Sequence, residues 1–272
     1  KLIDTPDFSW DINFNFAKNE SEVLEITDDL DELQLGGNDI REYRLIKGRP
    51  FGEIYSRGFV RNDQGQVIVD ADGLPQFTAG KDVAAANFNP DWLGGISNTF
   101  KYKNFSMSAL IDIRQGGSVI SSTEAILSAD GTLDYTGQGR DGSLVFGGNV
   151  FSGETAVTES GSANTITVGS EDLWNRLGGR NAPVGEAFVR DASNIRLREL
   201  VLGYSFPEKL LSKTFLKSAD VSLVGRNLFF ISNKAKYFDP ESIAGTNAAN
   251  EGQNAFAPPT TRSLGMSVKL KF

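Results

Sequence analysis

The 272-residue chain has no cysteine, no histidine and only two methionines, and it nowhere approaches the roughly 20 consecutive apolar residues that a membrane-spanning helix needs. Without cysteine there are no disulfides, thiolate nucleophiles or cysteine–zinc sites. Without histidine the commonest general base and the commonest transition-metal ligand are missing. A net charge of −8 disfavours nucleic acid as a partner, because phosphates call for basic patches. It suits long solvated loops. The opening residues Lys1–Thr5 form neither the basic nor the apolar region of a secretion signal, and the chain reads as an internal piece of a longer protein whose N-terminal part lies upstream.

With 23% charged and 39% hydrophobic residues, the average resembles that of a soluble protein. That average does not distinguish a soluble fold from a transmembrane β-barrel, whose strands need only about 9–11 residues with every second one apolar. The residue order is more informative. Phe8, Trp10, Ile12, Phe14 and Phe16 alternate with Ser9, Asp11, Asn13 and Asn15. Ile96, Phe100 and Tyr102 alternate with Ser97, Thr99 and Lys101, and after the tight turn Lys103–Asn104 the alternation resumes from Phe105 to Arg114. It returns from Leu264 to Phe272. Period two marks strands with one apolar face.

Further strands are expected at Ile40–Lys47, Phe51–Val60, Phe188–Phe206 and Val221–Phe230, about eight in all. The phase slip between Leu197 and Leu200 calls for a β-bulge. Short connections (48–50, 103–104, 207–217) alternate with long ones (18–39, 61–94, 115–187, 232–261). Short turns on one side and long loops on the other are the habit of outer-membrane barrels. If Phe272 ends at the periplasmic side, every short turn falls there and every long loop falls outside. The 115–187 segment is rich in Gly, Ser and Thr and reads as an extracellular loop of irregular structure. Aromatic residues at strand ends form an interfacial girdle on this reading: Phe8, Trp10, Phe16, Tyr102, Phe105, Tyr204 and Phe206, with Phe229 and Phe230. The expected fold is therefore all-β, an antiparallel transmembrane barrel whose apolar face meets outer-membrane lipid and whose polar face lines a wet lumen.

Several runs resemble the C-terminal region of SusC/RagA-type TonB-dependent transporters. They are Asn89–Pro90–Asp91–Trp92–Leu93–Gly94–Gly95, continuing through Phe100–Phe105 to Arg114–Gln115–Gly116–Gly117; Phe188–Val189–Arg190–Asp191–Ala192–Ser193–Asn194–Ile195–Arg196–Leu197–Arg198–Glu199–Leu200; Gly203–Tyr204; Gly225–Arg226–Asn227–Leu228–Phe229; Asp239–Pro240–Glu241; and Ser267–Val268–Lys269–Leu270–Lys271–Phe272. Phe8–Ser9–Trp10 and Asn13–Phe16 are similar to an earlier strand of the same barrels. The resemblance implies a barrel of about 22 strands with a plugged lumen, of which residues 1–272 form the C-terminal portion. It implies a plug domain and further strands upstream, and active import of an oligosaccharide or peptide in a Bacteroidetes-type outer membrane. The implied partners are a SusD-type surface lipoprotein over the mouth and TonB, reached through the upstream part. The ending Val268, Leu270, Phe272 resembles the signature read by barrel-assembly machinery.

No enzyme is expected, and no cofactor or metal. Asn62–Gly65 and Asp70–Gly73 miss the ligand spacing of a calcium loop and read as turns. Glu171–Asp172 and the pair Asp239 and Glu241 read as solvated charge rather than a glycosidase pair. The double glycines precede no Lys–Ser/Thr and mark turns. Tyr135, Trp174 and Tyr237, in long connections, are the candidate contacts for substrate or lid. A passive channel or adhesin-like barrel, and a soluble β-sandwich carbohydrate enzyme, are the competing readings.

Overall fold

The computed structural model describes residues 1–148, 154–242 and 251–272. Six long strands form a continuous antiparallel wall: β1 (Phe8–Ala17), β2 (Trp92–Tyr102), β3 (Phe105–Gln115), β4 (Asn194–Ser205), β5 (Ser218–Asn233) and β6 (Ser263–Lys271). A two-residue strand, Ile3–Asp4, adds a seventh member beside β1. Every neighbour in the wall is antiparallel.

The register turns the alternation into two chemically distinct faces. Phe8, Tyr102, Phe105, Tyr204, Val221 and Val268 lie in one cross-strand row. Two residues further on, Trp10, Phe100, Met107, Leu202, Leu223 and Met266 form the next row of the same face. Between them Ser9, Lys101, Ser106, Gly203, Ser222 and Ser267 line the opposite face. A slip of one residue anywhere would put phenylalanines on the polar side, so the pattern fixes the pairing. The apolar face is uncovered: Phe14 is 63% exposed and Leu223 57% exposed. On that face Gly94 leaves room for the Trp92 ring, whose nearest atom is 3.0 Å from where a Cβ would stand, and Phe16 packs beside it with ring centroids 5.7 Å apart.

The Lys103–Asn104 hairpin forms as expected, with Lys103 at a positive φ of 50°. The bulge also forms: Leu197 and Glu199 pair with the consecutive Ile111 and Leu110 of β3, which makes Arg198 the extra residue there, while on β5 their partners are Phe229 and Arg226. The 206–217 connection is short, closed by a one-turn helix at Glu208–Leu211.

Two expected wall strands lie elsewhere. Arg41–Ile46 and Glu53–Ser56 belong to a separate four-stranded sheet with Glu32–Gly37 and Val83–Asn87. At six and four residues they are too short to cross a bilayer, and the second is buried throughout. The 48–50 turn therefore sits on the side of the long connections, not among the short turns, and residues 18–91 are one excursion. Phe188–Phe206 is likewise two strands: Val189–Asp191 leaves the wall to pair with Ser118–Ser121.

Nor is the 115–187 segment a mere irregular loop. It contains α1 (Ser122–Ala129) and α2 (Ser170–Leu177). Ser121 caps α1 by accepting from the Glu124 N–H at 3.1 Å. Glu171 and Asp172 open α2 and Arg176 closes it, matching the helix dipole. This segment and the 18–91 excursion share one core, including Ile54, Phe59, Val67, Ile120, Phe146, Leu173, Leu177 and Phe188. Val67–Val69 pairs in parallel with Ala156–Thr158 across that joint. The long connections thus form a folded cap over one end of the wall.

The cap is packed closely where α2 meets α1. A Cβ on Gly178 would lie 2.4 Å from the Ala125 carbonyl oxygen, a backbone atom that cannot swing aside. Gly178→Ala is therefore expected to destabilise the cap by about 1–3 kcal/mol, as overpacking does. Hydrogen exchange would register it as faster amide exchange in α1 and α2, with the wall strands unchanged.

Candidate functional site

The wall's polar face and the cap above it are where a solute would be handled. Near the capped end, the polar face carries an ionic network assembled from β3, β4 and the 234–262 connection. Arg198, displaced onto it by the bulge, donates from Nε to Asp112 at 2.7 Å and from Nη2 to Glu241 at 2.6 Å. Arg196 donates to the other Glu241 oxygen at 2.7 Å and faces Asp239 at 3.4 Å. The Arg196 guanidinium also lies 4.3 Å from the Phe230 ring centroid. Thr260 donates its hydroxyl and its backbone N–H to Asp239. Burial pushes the Asp239 carboxyl up, but the bonds from Thr260, the Glu241 N–H and the Arg196 charge outweigh it, so the group sits below its ordinary value. Asp239 and Glu241 are accordingly not the solvated charges the sequence suggests. They tie the 234–262 connection to the wall.

Gln253 links all three long connections. Its Oε1 accepts from Arg41 Nε at 2.7 Å and from Asn38 Nδ2 at 2.9 Å, while its Nε2 donates to Ser122 Oγ at 2.7 Å. Burial holds the Arg41 guanidinium down to about 10, still charged at neutral pH. Arg61 adds a second tie, reaching Glu154 at 2.7 Å and Glu186 at 2.8 Å. No local pattern marks these residues, since each finds its partner from about 90 to more than 200 positions away.

The three aromatics singled out in the long connections come together. Tyr135 packs against Trp174 with centroids 4.8 Å apart and edge-on to Tyr237 at 5.5 Å. Trp174 is only 7% exposed and contributes to the cap core. Tyr135 is half-buried, its hydroxyl 2.6 Å from Ser128, and burial pushes that phenol up to about 12. Tyr237 donates to Asp134 at 2.7 Å and accepts from Lys236 at 2.7 Å. Trp174 lines a cleft of about 790 Å3 with Arg140, Asp141 and Glu171. Tyr237 lines another of about 480 Å3 beside Arg196 and Asp239. A third cleft, about 880 Å3, opens where the cap meets β1, between Lys18, Glu20, Asn89 and Asp91.

The girdle residues fall at the two ends of the wall. Phe8, Tyr102, Phe105 and Tyr204 share the row nearest the short turns, Phe206 packs edge-on against Tyr204 at 5.2 Å, and Trp10 stacks on Phe100 at 5.5 Å in the next row. Phe16 stands at the capped end. Val268 and Leu270 lie on the outer strand β6, and Phe272 stacks on Phe215 at 5.5 Å. Asp70 is a turn residue: its Oδ1 accepts from the Asp72 and Leu74 N–H groups and its Oδ2 from Arg176. Its oxygens are thus already engaged by donors. Among the described residues no group of three acidic side chains is placed to hold a metal.

A single-layer antiparallel sheet with one uncovered apolar face, one polar face, short turns at one end and a folded cap at the other is an all-β arrangement of the kind that outer-membrane β-barrel walls have. No family model matches the chain. TonB-dependent receptor P3 of Formosa agariphila is 24% identical over 298 residues, covering 99% of this chain and 27% of that receptor. TonB-dependent receptor SusC of Bacteroides thetaiotaomicron is 26% identical over 282 residues, covering 99% of this chain and 25% of SusC. The RagAB peptide transporter structure superposes with a TM-score of 0.64 at 21% identity, over 99% of this chain and 28% of that one. Along its whole length, then, the chain is similar to SusC/RagA-type TonB-dependent receptors of the bacterial outer membrane. It spans about a quarter of the length of the curated relatives it matches.

Proposed function

We propose that this chain is the C-terminal wall section of a TonB-dependent importer that brings a bulky nutrient, an oligosaccharide or peptide, across the outer membrane. The observation that carries the reading is the register that puts the Phe8 and Trp10 rows on one face and the Ser9 row on the other across six long strands. A complete receptor of this size class has about 22 strands in all, and those upstream of this chain close the wall between β6 and the edge at Ile3–Asp4. An open edge in lipid would leave backbone N–H and C=O groups unpaired, at several kcal/mol each. The plug and the TonB contact belong to the upstream part, and a SusD-type lipoprotein sits on the cap. Val268, Leu270 and Phe272 serve as the assembly signal.

In this reading the cap faces the cell exterior, and Tyr135, Trp174 and Tyr237 stand where a ligand or the lipoprotein arrives. Tyr237 is the most accessible contact of the three, because Trp174 is committed to the core. Tyr237→Ala in the full-length receptor should weaken ligand or lipoprotein binding by about tenfold, the scale of an interface aromatic, while leaving barrel insertion unchanged. Titration of the purified receptor with both partners would measure it. An epitope inserted at the exposed turn around Gly161 tests the orientation: antibody should bind it on intact cells. Binding only after the outer membrane is breached would reverse the topology.

A further inference from the structure

The apolar face of the wall is not uniformly flat. Where β2, β3, β4 and β5 meet the short turns it sinks into a groove of about 500 Å3, inside the roughly 300–1,000 Å3 range of small-molecule sites. Its sides are Phe100, Tyr102, Phe105, Met107, Leu202 and Tyr204. Ser106 and Gly203 belong to the polar face, so only their backbone underlies the groove floor. Phe105 and Tyr204 lean together at 4.8 Å, which leaves the groove open along the strands.

One end of the groove has a cation beside it. The left-handed turn residue Lys103 holds its ammonium 5.5 Å from the centroid of the Tyr102 ring, and that ring lines the groove. Lys101, Lys269 and Lys271 stand at the same end of the wall but on its polar face, so the cation beside the groove is Lys103, in a chain whose net charge is −8. A cation at the mouth of an apolar groove, at the depth where aromatic rings mark the membrane interface, complements an amphiphile with an anionic head.

We propose that this groove holds one anionic glycerophospholipid of the periplasmic leaflet, an acyl chain along Phe100, Met107 and Leu202 and the phosphate against Lys103. The proposal rests on the membrane reading of the apolar face. It adds a specific lipid site to a surface that would otherwise meet lipid indiscriminately.

The test uses the full-length receptor, purified in mild detergent, stripped of lipid and supplied with phosphatidylglycerol or phosphatidylcholine before native mass spectrometry. The wild-type protein should retain one phosphatidylglycerol after other lipids have gone. Lys103→Asn keeps a residue tolerant of positive φ and removes the charge. It should lower phosphatidylglycerol retention about fivefold, the effect of one lysine near an anionic surface, and leave phosphatidylcholine unchanged. Leu202→Trp fills the groove and should reduce retention of both lipids. Heat-modified gel mobility reports whether each variant is folded. Equal phosphatidylglycerol retention in folded Lys103→Asn, or unaltered retention in folded Leu202→Trp, overturns the site while the membrane reading stands. A receptor that is folded and monodisperse without detergent overturns both.

Discussion

Ile12→Arg is expected to cost the folded receptor about 2–4 kcal/mol, whereas Asn13→Arg, the next residue along, should be mild. Ile12 lies midway along β1 on the apolar face, in the row of Ala109, Leu200 and Leu264. A guanidinium there must enter hydrocarbon or drag water in after it. Asn13 belongs to the opposite face, level with Ser97 and Arg226, where a charged group keeps its hydration. The contrast is clean because the two sites share a strand, a depth and the neighbouring strand β2, and differ only in the side to which they point. Denaturant titration in lipid vesicles measures both. Equal costs at the two positions would mean that the faces do not divide lipid from water.

Arg196→Met should release the 234–262 connection from the wall. Arg196 and Asp239 are each 4% exposed at the side chain, so removing the cation leaves a buried carboxylate facing no charge of opposite sign at that distance. Breaking such a pair from one side costs about 3–5 kcal/mol, enough to raise the open population about a hundredfold or more. Trypsin cleavage at Lys234 and Lys236 should accelerate accordingly, while the β5–β6 pairing persists. Acid should do part of the same work. The Asp239 pKa is lowered in the folded state, so its contribution is present above the ordinary value of 3.8 and is lost as pH falls through the lower folded value. Cleavage by an acid-active protease that rises only below about pH 4 would fit this. An unchanged tryptic rate in the methionine variant would show that other contacts hold the connection.

The wall was legible because its information is local: period two within each strand, a two-residue hairpin, and one phase slip that demanded a bulge. Arg198 is the residue that slip inserts, and it became the centre of the ionic network. The network itself stayed hidden although Arg196, Arg198, Asp239 and Glu241 all stood in recognisable motifs. Nothing in the spacing says that position 239 returns to position 196. Arg41–Ile46 and Glu53–Ser56 passed as wall strands because a half-buried cap sheet alternates as a membrane strand does, and only their length betrays them. The cap was illegible for a further reason. Its pairings are two to five residues long and join segments such as Val67–Val69 and Ala156–Thr158, too short to print a period. The aromatic trio was named one residue at a time, and only the fold brings Tyr135, Trp174 and Tyr237 together.

The shared core of the cap also dictates an order of events. Ile54 and Phe59 are translated before the β2–β3 hairpin, and Leu173 and Phe188 after it, yet they pack together on one side of it. In the importer proposed above, the hairpin crosses the bilayer between them. Neither half can bury its apolar surface until both have been delivered to the same side, so cap closure has high contact order and follows passage of the hairpin. During that interval Val67, Val69, Phe146 and Phe188, all buried in the finished cap, remain uncovered.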